Sequence, residues 1–197
     1  MVGAILTQNA AWSNVERAIA NLKRSGVLEP YSLLRLPDSR LHELLEPSGF
    51  FRVKTRRLRN FLEYFTKRYQ GDVSRMRRAP LPRLRRELLE VNGIGRETAD
   101  SILLYALDKP VFVIDAYTRR ILSRHRLAKP DAPYDEIRDR FESSLPRNRR
   151  LYNEYHALLV RLAKTNCRVK PACGGCPLES LAEPRAVPAI AGSKRER

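Results

Sequence analysis

Three stretches of this chain carry residue types at spacings that could do chemistry. The first, Leu88-Leu89-Glu90-Val91-Asn92-Gly93-Ile94-Gly95-Arg96-Glu97-Thr98-Ala99-Asp100, reads as helix, Gly-X-Gly turn, helix. Glycines at 93 and 95 let the backbone turn sharply and come close to another group, since neither carries a Cβ. The amides after such a turn sit at a helix N-terminus, where an anion is favoured. That suits one phosphate gripped by backbone, without base information; the other reading is a Gly-rich connector between core helices. The second stretch, Cys167-x5-Cys173-x2-Cys176, looks like a metal loop whose thiolates converge on one ion or cluster. The third is Asp115, directly after the apolar run Val111 to Ile114, where it reads as the cap of the following helix.

The charge names a class of partner. Across 197 residues, 38 Lys plus Arg oppose 22 Asp plus Glu, a net charge of +16, and only 8 of the cations are Lys. An excess of this size points to a polyanion, most often nucleic acid, against the alternative of an Arg-rich solvated surface. The cations cluster internally: Arg52, Lys54, Arg56, Arg57 and Arg59; Arg75, Arg77, Arg78, Arg83, Arg85 and Arg86; Arg147, Arg149 and Arg150. Arg offers a planar fork that matches phosphate. No apolar run approaches the ~18 residues of a membrane span, and the start MVGAILTQNAAW lacks the marks of a signal peptide. Three Cys are too few for a secreted disulfide framework, so the expected location is cytoplasmic, with no membrane partner.

The elements that must position these groups are helical. Ser13 with Glu16 reads as a capping box opening a helix with Val15, Ala18, Ile19 and Leu22 on one stripe. Asp38 caps a short helix that stops before Pro47, and a long amphipathic segment runs from about Arg52 to Tyr69. Helices at 84–90 and 97–107 flank the Gly turn; further helices follow Asp115, near 134–144 and near 150–163. With no strand alternation and no repeat, the expected class is all-α, and 197 residues allow one domain or two small lobes. In the reading as two helical lobes, 1–114 would be a six-helix lobe with the helix-hairpin-helix at about 84–107, 115–183 a C-terminal helical lobe with the Cys loop, and 184–197 a disordered tail.

Together these motifs resemble the endonuclease III superfamily of DNA glycosylases. The hairpin and Asp115, eighteen residues after Glu97, are similar to its helix-hairpin-helix and Gly-Pro-rich loop with Asp; the Cys cluster is similar to its C-terminal iron–sulfur loop. Gly3-Ala4-Ile5-Leu6-Thr7-Gln8-Asn9 resembles the segment around a strand-probing Gln, and Pro47-Ser48-Gly49-Phe50 the loop with an intercalating wedge. Gly93 to Leu103, Gly3 to Trp12, and Tyr152 with His156 are most similar to the 3-methyladenine DNA glycosylase III branch.

The resemblance implies a DNA-binding cleft between the lobes and a monomer that removes damaged bases, alkylated purines in this branch, from double-stranded DNA in base excision repair. Asp115 would stabilise the oxocarbenium-like transition state and orient water, Gln8 fill the vacated space and Phe50 wedge the strand. Gly93, Ile94, Gly95 and Arg96 would hold the backbone, with a possible monovalent cation at the hairpin. Bifunctional members carry a Schiff-base Lys where this chain has Glu97, and a carboxylate cannot form an imine, so the implied enzyme is monofunctional. The alternatives are a pyrimidine or mismatch glycosylase with AP lyase activity, and a non-catalytic module that binds damaged DNA. The family's cysteine loop has four Cys, and here the fourth position falls on Ala182. Open readings are therefore a [4Fe–4S] cluster with a non-Cys ligand, a three-iron cluster, Zn, or a loop of free thiols. Relatives carry a helix and an aromatic-containing segment ahead of this start, so the chain reads as short there; Trp12 and Tyr117 remain as possible stacking groups.

Overall fold

The computed structural model describes residues 1–181, which are helical with no strand among them; the expected tail at 184–197 and the position of Ala182 lie outside. Eleven α-helices follow one another: α1 Val2–Leu6, α2 Trp12–Arg24, α3 Pro30–Arg35, α4 Asp38–Leu45, α5 Phe51–Tyr69, α6 Val73–Arg78, α7 Leu81–Glu90, α8 Arg96–Leu107, α9 Ala116–Arg124, α10 Tyr134–Ser144 and α11 Arg149–Thr165. Eight of these precede residue 114, where six were expected; α1, α3 and α6 are only five or six residues long, too short to show a 3.6-residue stripe. Two expected caps are not caps. The N-cap of α2 is Ala11, with Ser13 inside the first turn, and Asp38 is the first residue of α4, where it accepts from Arg59 Nε at 2.7 Å.

The chain divides into two compact units, the first Met1–Val113 with Phe141–Asn153, the second Ile114–Arg140 with the chain from Glu154 onward. The units change over between Val113 and Ile114, and 141–153 belong to the first unit. Phe141 stacks on Phe112 at 4.0 Å, Tyr152 meets that ring edge-on at 5.5 Å, and Glu142 accepts the Phe112 amide at 2.8 Å. Burying Tyr152 and stacking Phe141 against the buried Phe112 outweighs sequence proximity.

In the first unit α5 sets the frame. Leu58, Phe61, Leu62, Phe65 and Tyr69 recur at steps of three and four, and all five are buried. Helix α8 buries Thr98, Ala99, Asp100, Ile102, Leu103, Leu104 and Leu107, nearly its whole circumference. Its one fully buried charge, Asp100, takes a two-pronged bond from Arg85 of α7, Nε to Oδ1 at 2.8 Å and Nη2 to Oδ2 at 3.2 Å. The two hairpin helices are thus bolted by a charge-assisted fork as well as by packing.

Candidate functional site

The hairpin lies between α7 and α8. Gly93 has φ +94°, and a Cβ there would stand 2.4 Å from Arg57 Cγ, so this position admits only glycine. Gly95 differs from expectation: its φ is −87° and a Cβ would meet no protein atom within 4 Å. Ile94 is buried, and its amide donates to Val91 O at 3.0 Å, so it anchors the turn in the core and keeps that amide from an outside anion. The first-turn amides of α8 have no intrahelical acceptor, and the helix dipole favours negative charge there. Arg96 and Glu97 are exposed at the same end.

Gly93→Ala is expected to destabilise the protein by about 1–3 kcal/mol, read as a lowered Tm, because the left-handed φ and the Arg57 clash act together. Gly95→Ala should melt like wild type yet bind duplex DNA about tenfold more weakly, one backbone contact's worth. Equal binding by Gly95→Ala would show that nothing approaches that glycine closely.

Gln8 is drawn to this turn from 85 residues away. Its Nε2 donates to Gly93 O at 3.0 Å and to Thr98 Oγ1 at 2.8 Å, while Arg57 Nη1 donates to its Oε1 at 2.5 Å. Amide and carbonyl ends are therefore oriented by separate partners. Asn60 Nδ2 holds the neighbouring Asn92 O at 3.0 Å. Arg57 and Thr98 had no separate signal in sequence, since their partnership depends on three segments folding together.

Phe50, 70% exposed, is not a core residue. It stands before α5 at φ +46°, ψ +33°, left-handed backbone that is uncommon for a bulky side chain.

Asp115 lies in the second unit as the N-cap of α9, Oδ1 accepting the Thr118 amide at 2.7 Å. Its Oδ2 faces His156 Nε2 of α11 at 3.5 Å, with the two side chains 13% and 10% exposed. Burial would raise the Asp115 carboxyl, but the facing His156 and the bond from the Thr118 amide more than offset it and hold the group below the ordinary carboxylate value. A nearly buried, ionised carboxylate is suited to facing a developing positive charge.

The basic clusters divide. Lys54 is fully buried, Arg59 bonds Asp38 and the Leu34 and Leu36 carbonyls, Arg85 bonds Asp100 and Arg83 bonds Glu87. Arg52, Arg56, Arg78, Arg86, Arg147 and Arg150 are exposed, where a polyanion can reach them.

The cysteine loop belongs to the second unit. Cys167, Cys173 and Cys176 line one small pocket with Leu162, Pro171 and Leu178. Cys167 is buried, and its Sγ accepts from Arg124 Nη1 at 3.2 Å, whereas Cys173 is exposed. No three metal-ligating side chains among the described residues are placed to hold a metal ion, and alanine at 182 has no donor. The residues present do not fit a four-thiolate cluster. Protein bonds brace the loop instead: Arg120 donates to Cys167 O and Ala163 O, and Arg124 to Arg168 O and Val169 O.

Among the described residues, no helix is long and apolar enough to cross a membrane. The family model described as "HhH-GPD superfamily base excision DNA repair protein" matches residues 2–147. A protein of Methanocaldococcus jannaschii, named provisionally as a DNA repair glycosylase, is 48% identical over 183 residues, covering 92% of this chain and 83% of the relative. Endonuclease III of Thermotoga maritima is 26% identical, covering 93% and 81%. Endonuclease III in a non-covalent complex with DNA superposes with a TM-score of 0.79 at 21% identity over 92% of this chain and 80% of that one. The H. pylori 3-methyladenine DNA glycosylase bound to 1,N6-ethenoadenine does so with 0.72 at 30%, over 83% and 82%. With its hairpin, its helix order and these relatives in agreement, the chain belongs to the HhH-GPD superfamily of base excision DNA repair proteins.

Proposed function

We propose that this protein is a monofunctional DNA N-glycosylase that releases alkylated purines from duplex DNA, with water as the nucleophile. One observation carries the reading: a nearly buried carboxylate, Asp115, is held ionised by His156 and the Thr118 amide, while Glu97 stands where bifunctional relatives carry an amine. Leaving of the base puts positive charge on the sugar, and Asp115 stabilises that charge and orients water. The turn at Gly93 and Gly95, with the amides beginning α8 and Arg96, holds a backbone phosphate; a monovalent cation at the hairpin would share its carbonyls. Gln8, already ordered by Arg57 and Thr98, fills the space of the extruded base, and Phe50 wedges the stack. No step passes through the cysteine loop, whose Arg168 and Lys170 contact the backbone. The 30% identity to the 3-methyladenine glycosylase supports the purine substrate. Likeness to endonuclease III supports the pyrimidine alternative with lyase activity, which Glu97 opposes.

The test is incubation with duplexes carrying 3-methyladenine, 1,N6-ethenoadenine, uracil, thymine glycol or mismatched thymine, scored with and without hot alkali. Release of the purines with strand breaks only after alkali is expected. No release from any duplex would sink the enzyme reading; alkali-independent cleavage trapped by borohydride would sink the monofunctional one.

The pH dependence carries a sign. Because the folded-state pKa of Asp115 is depressed, its stabilising contribution is complete above the ordinary carboxylate range and is lost as pH falls through the folded value. Removing a group that favours the carboxylate raises its pKa, so His156→Ala should shift the acid limb of kcat/KM to higher pH. An unmoved limb in the pH–rate profile would separate His156 from Asp115.

A further inference from the structure

Lys54 is the one lysine whose side chain is fully buried among the described residues, and the chemistry above makes no use of it. It lies in the first turn of α5, and its side chain runs back toward the helix start, the direction in which helical side chains lean. Its Nζ donates to Ser48 O at 2.5 Å. Among the described residues that carbonyl is its one hydrogen-bond partner, and no carboxylate pairs with it. Burial, then the nearby Arg57, lowers the pKa of the ammonium. Methionine or leucine could fill this space without desolvating a charge, so the donor itself is what the position requires.

The bonded carbonyl sits at a particular place. Ser48 ends a 3-10 turn, Glu46–Ser48, with its own Oγ donating to Leu45 O at 2.7 Å. The next two residues are both left-handed in φ, Gly49 at +68° and Phe50 at +46°. The Ser48 carbonyl belongs to the peptide plane that leads into this pair, so fixing it fixes how the chain enters them. Beyond it the phenylalanine ring is held out, 70% exposed, on backbone that an aromatic residue rarely adopts.

We propose that Lys54 is a positioning residue whose buried ammonium pins the Ser48 carbonyl and so holds Phe50 preformed for insertion into DNA. The proposal rests on the reading of Phe50 as a wedge and adds the group that makes the wedge rigid before DNA arrives. Holding the ring beforehand removes an ordering cost from the encounter.

The probe is a duplex with a tetrahydrofuran abasic analogue opposite 2-aminopurine, which needs no excision and no knowledge of the lesion. Binding of wild-type protein should change the 2-aminopurine fluorescence as the wedge enters, and Phe50→Ala should abolish the change. Lys54→Met should bind within about threefold of wild type, because phosphate contacts dominate affinity. Its fluorescence change at saturation should fall to the Phe50→Ala level, and the double variant should match Phe50→Ala. If Lys54→Met does not melt cooperatively, Lys54→Gln, one atom too short to reach Ser48 O, takes its place with the same loss expected. A wild-type fluorescence change in either folded variant overturns the role of Lys54. If Phe50→Ala keeps the wild-type change, the wedge reading itself fails, a result independent of Lys54.

Discussion

Asp115→Asn should lower base release by about 10²–10⁴-fold while leaving duplex binding unchanged, with a small fall in Tm because the carboxylate charge favours the folded state. The substitution isolates charge from structure. Asn caps a helix as well as Asp does, and its Oδ1 can accept the same Thr118 amide at the start of α9. What it lacks is the negative charge proposed to face the developing oxocarbenium ion. Single-turnover release from the preferred duplex, with a gel-shift titration alongside, reads both quantities. Release at the wild-type rate would remove Asp115 from the chemistry and leave it as a cap. Loss of binding together with release would mean that the carboxylate supports the fold around it.

The second large effect is on stability. Asp100→Ala should destabilise the protein by about 3–5 kcal/mol, as breaking a buried ion pair on one side does. The carboxylate is fully buried and Arg85 is 18% exposed, so removal takes its forked charge partner from a guanidinium with little access to water. Since a domain of this size is stable by about 5–15 kcal/mol, the variant should unfold near physiological temperature. The double change Arg85→Met with Asp100→Leu, which exchanges the fork for apolar contact, should recover most of the loss. Urea titrations of the three proteins decide it; a mild single variant would show that packing alone holds α7 against α8. Because this bolt joins the two hairpin helices, Asp100→Ala should also weaken DNA binding at temperatures where it remains folded.

The helical class, the long α5, the hairpin and Asp115 as a cap were legible along the chain because each is local. A stripe at steps of three and four, two glycines around one residue, and an acid after an apolar run are written within a few residues of one another. The short helices α1, α3 and α6 were not, since six residues cannot display a period of 3.6. Charge misled in one respect. Basic clusters suggested a phosphate face, yet Lys54, Arg59 and Arg85 turn inward to carbonyls and acids, because a long side chain bonds whatever the fold brings near.

What composition and local pattern establish here is a helical, strongly basic chain with a Gly-X-Gly turn between two helices and a capped carboxylate. Its partnerships come from the packed structure. Gln8, Arg57, Gly93 and Thr98 meet although 90 residues separate the first from the last, and only that meeting shows why Gly93 must be glycine while Gly95 need not be for the protein's own sake. His156 faces Asp115 from another helix, and 141–153 return to the first unit to stack on Phe112. The physical reason is the same in each case. Hydrogen bonds and ring contacts act over a few ångströms in space and are blind to distance along the chain, whereas periodicity and capping are properties of neighbouring residues.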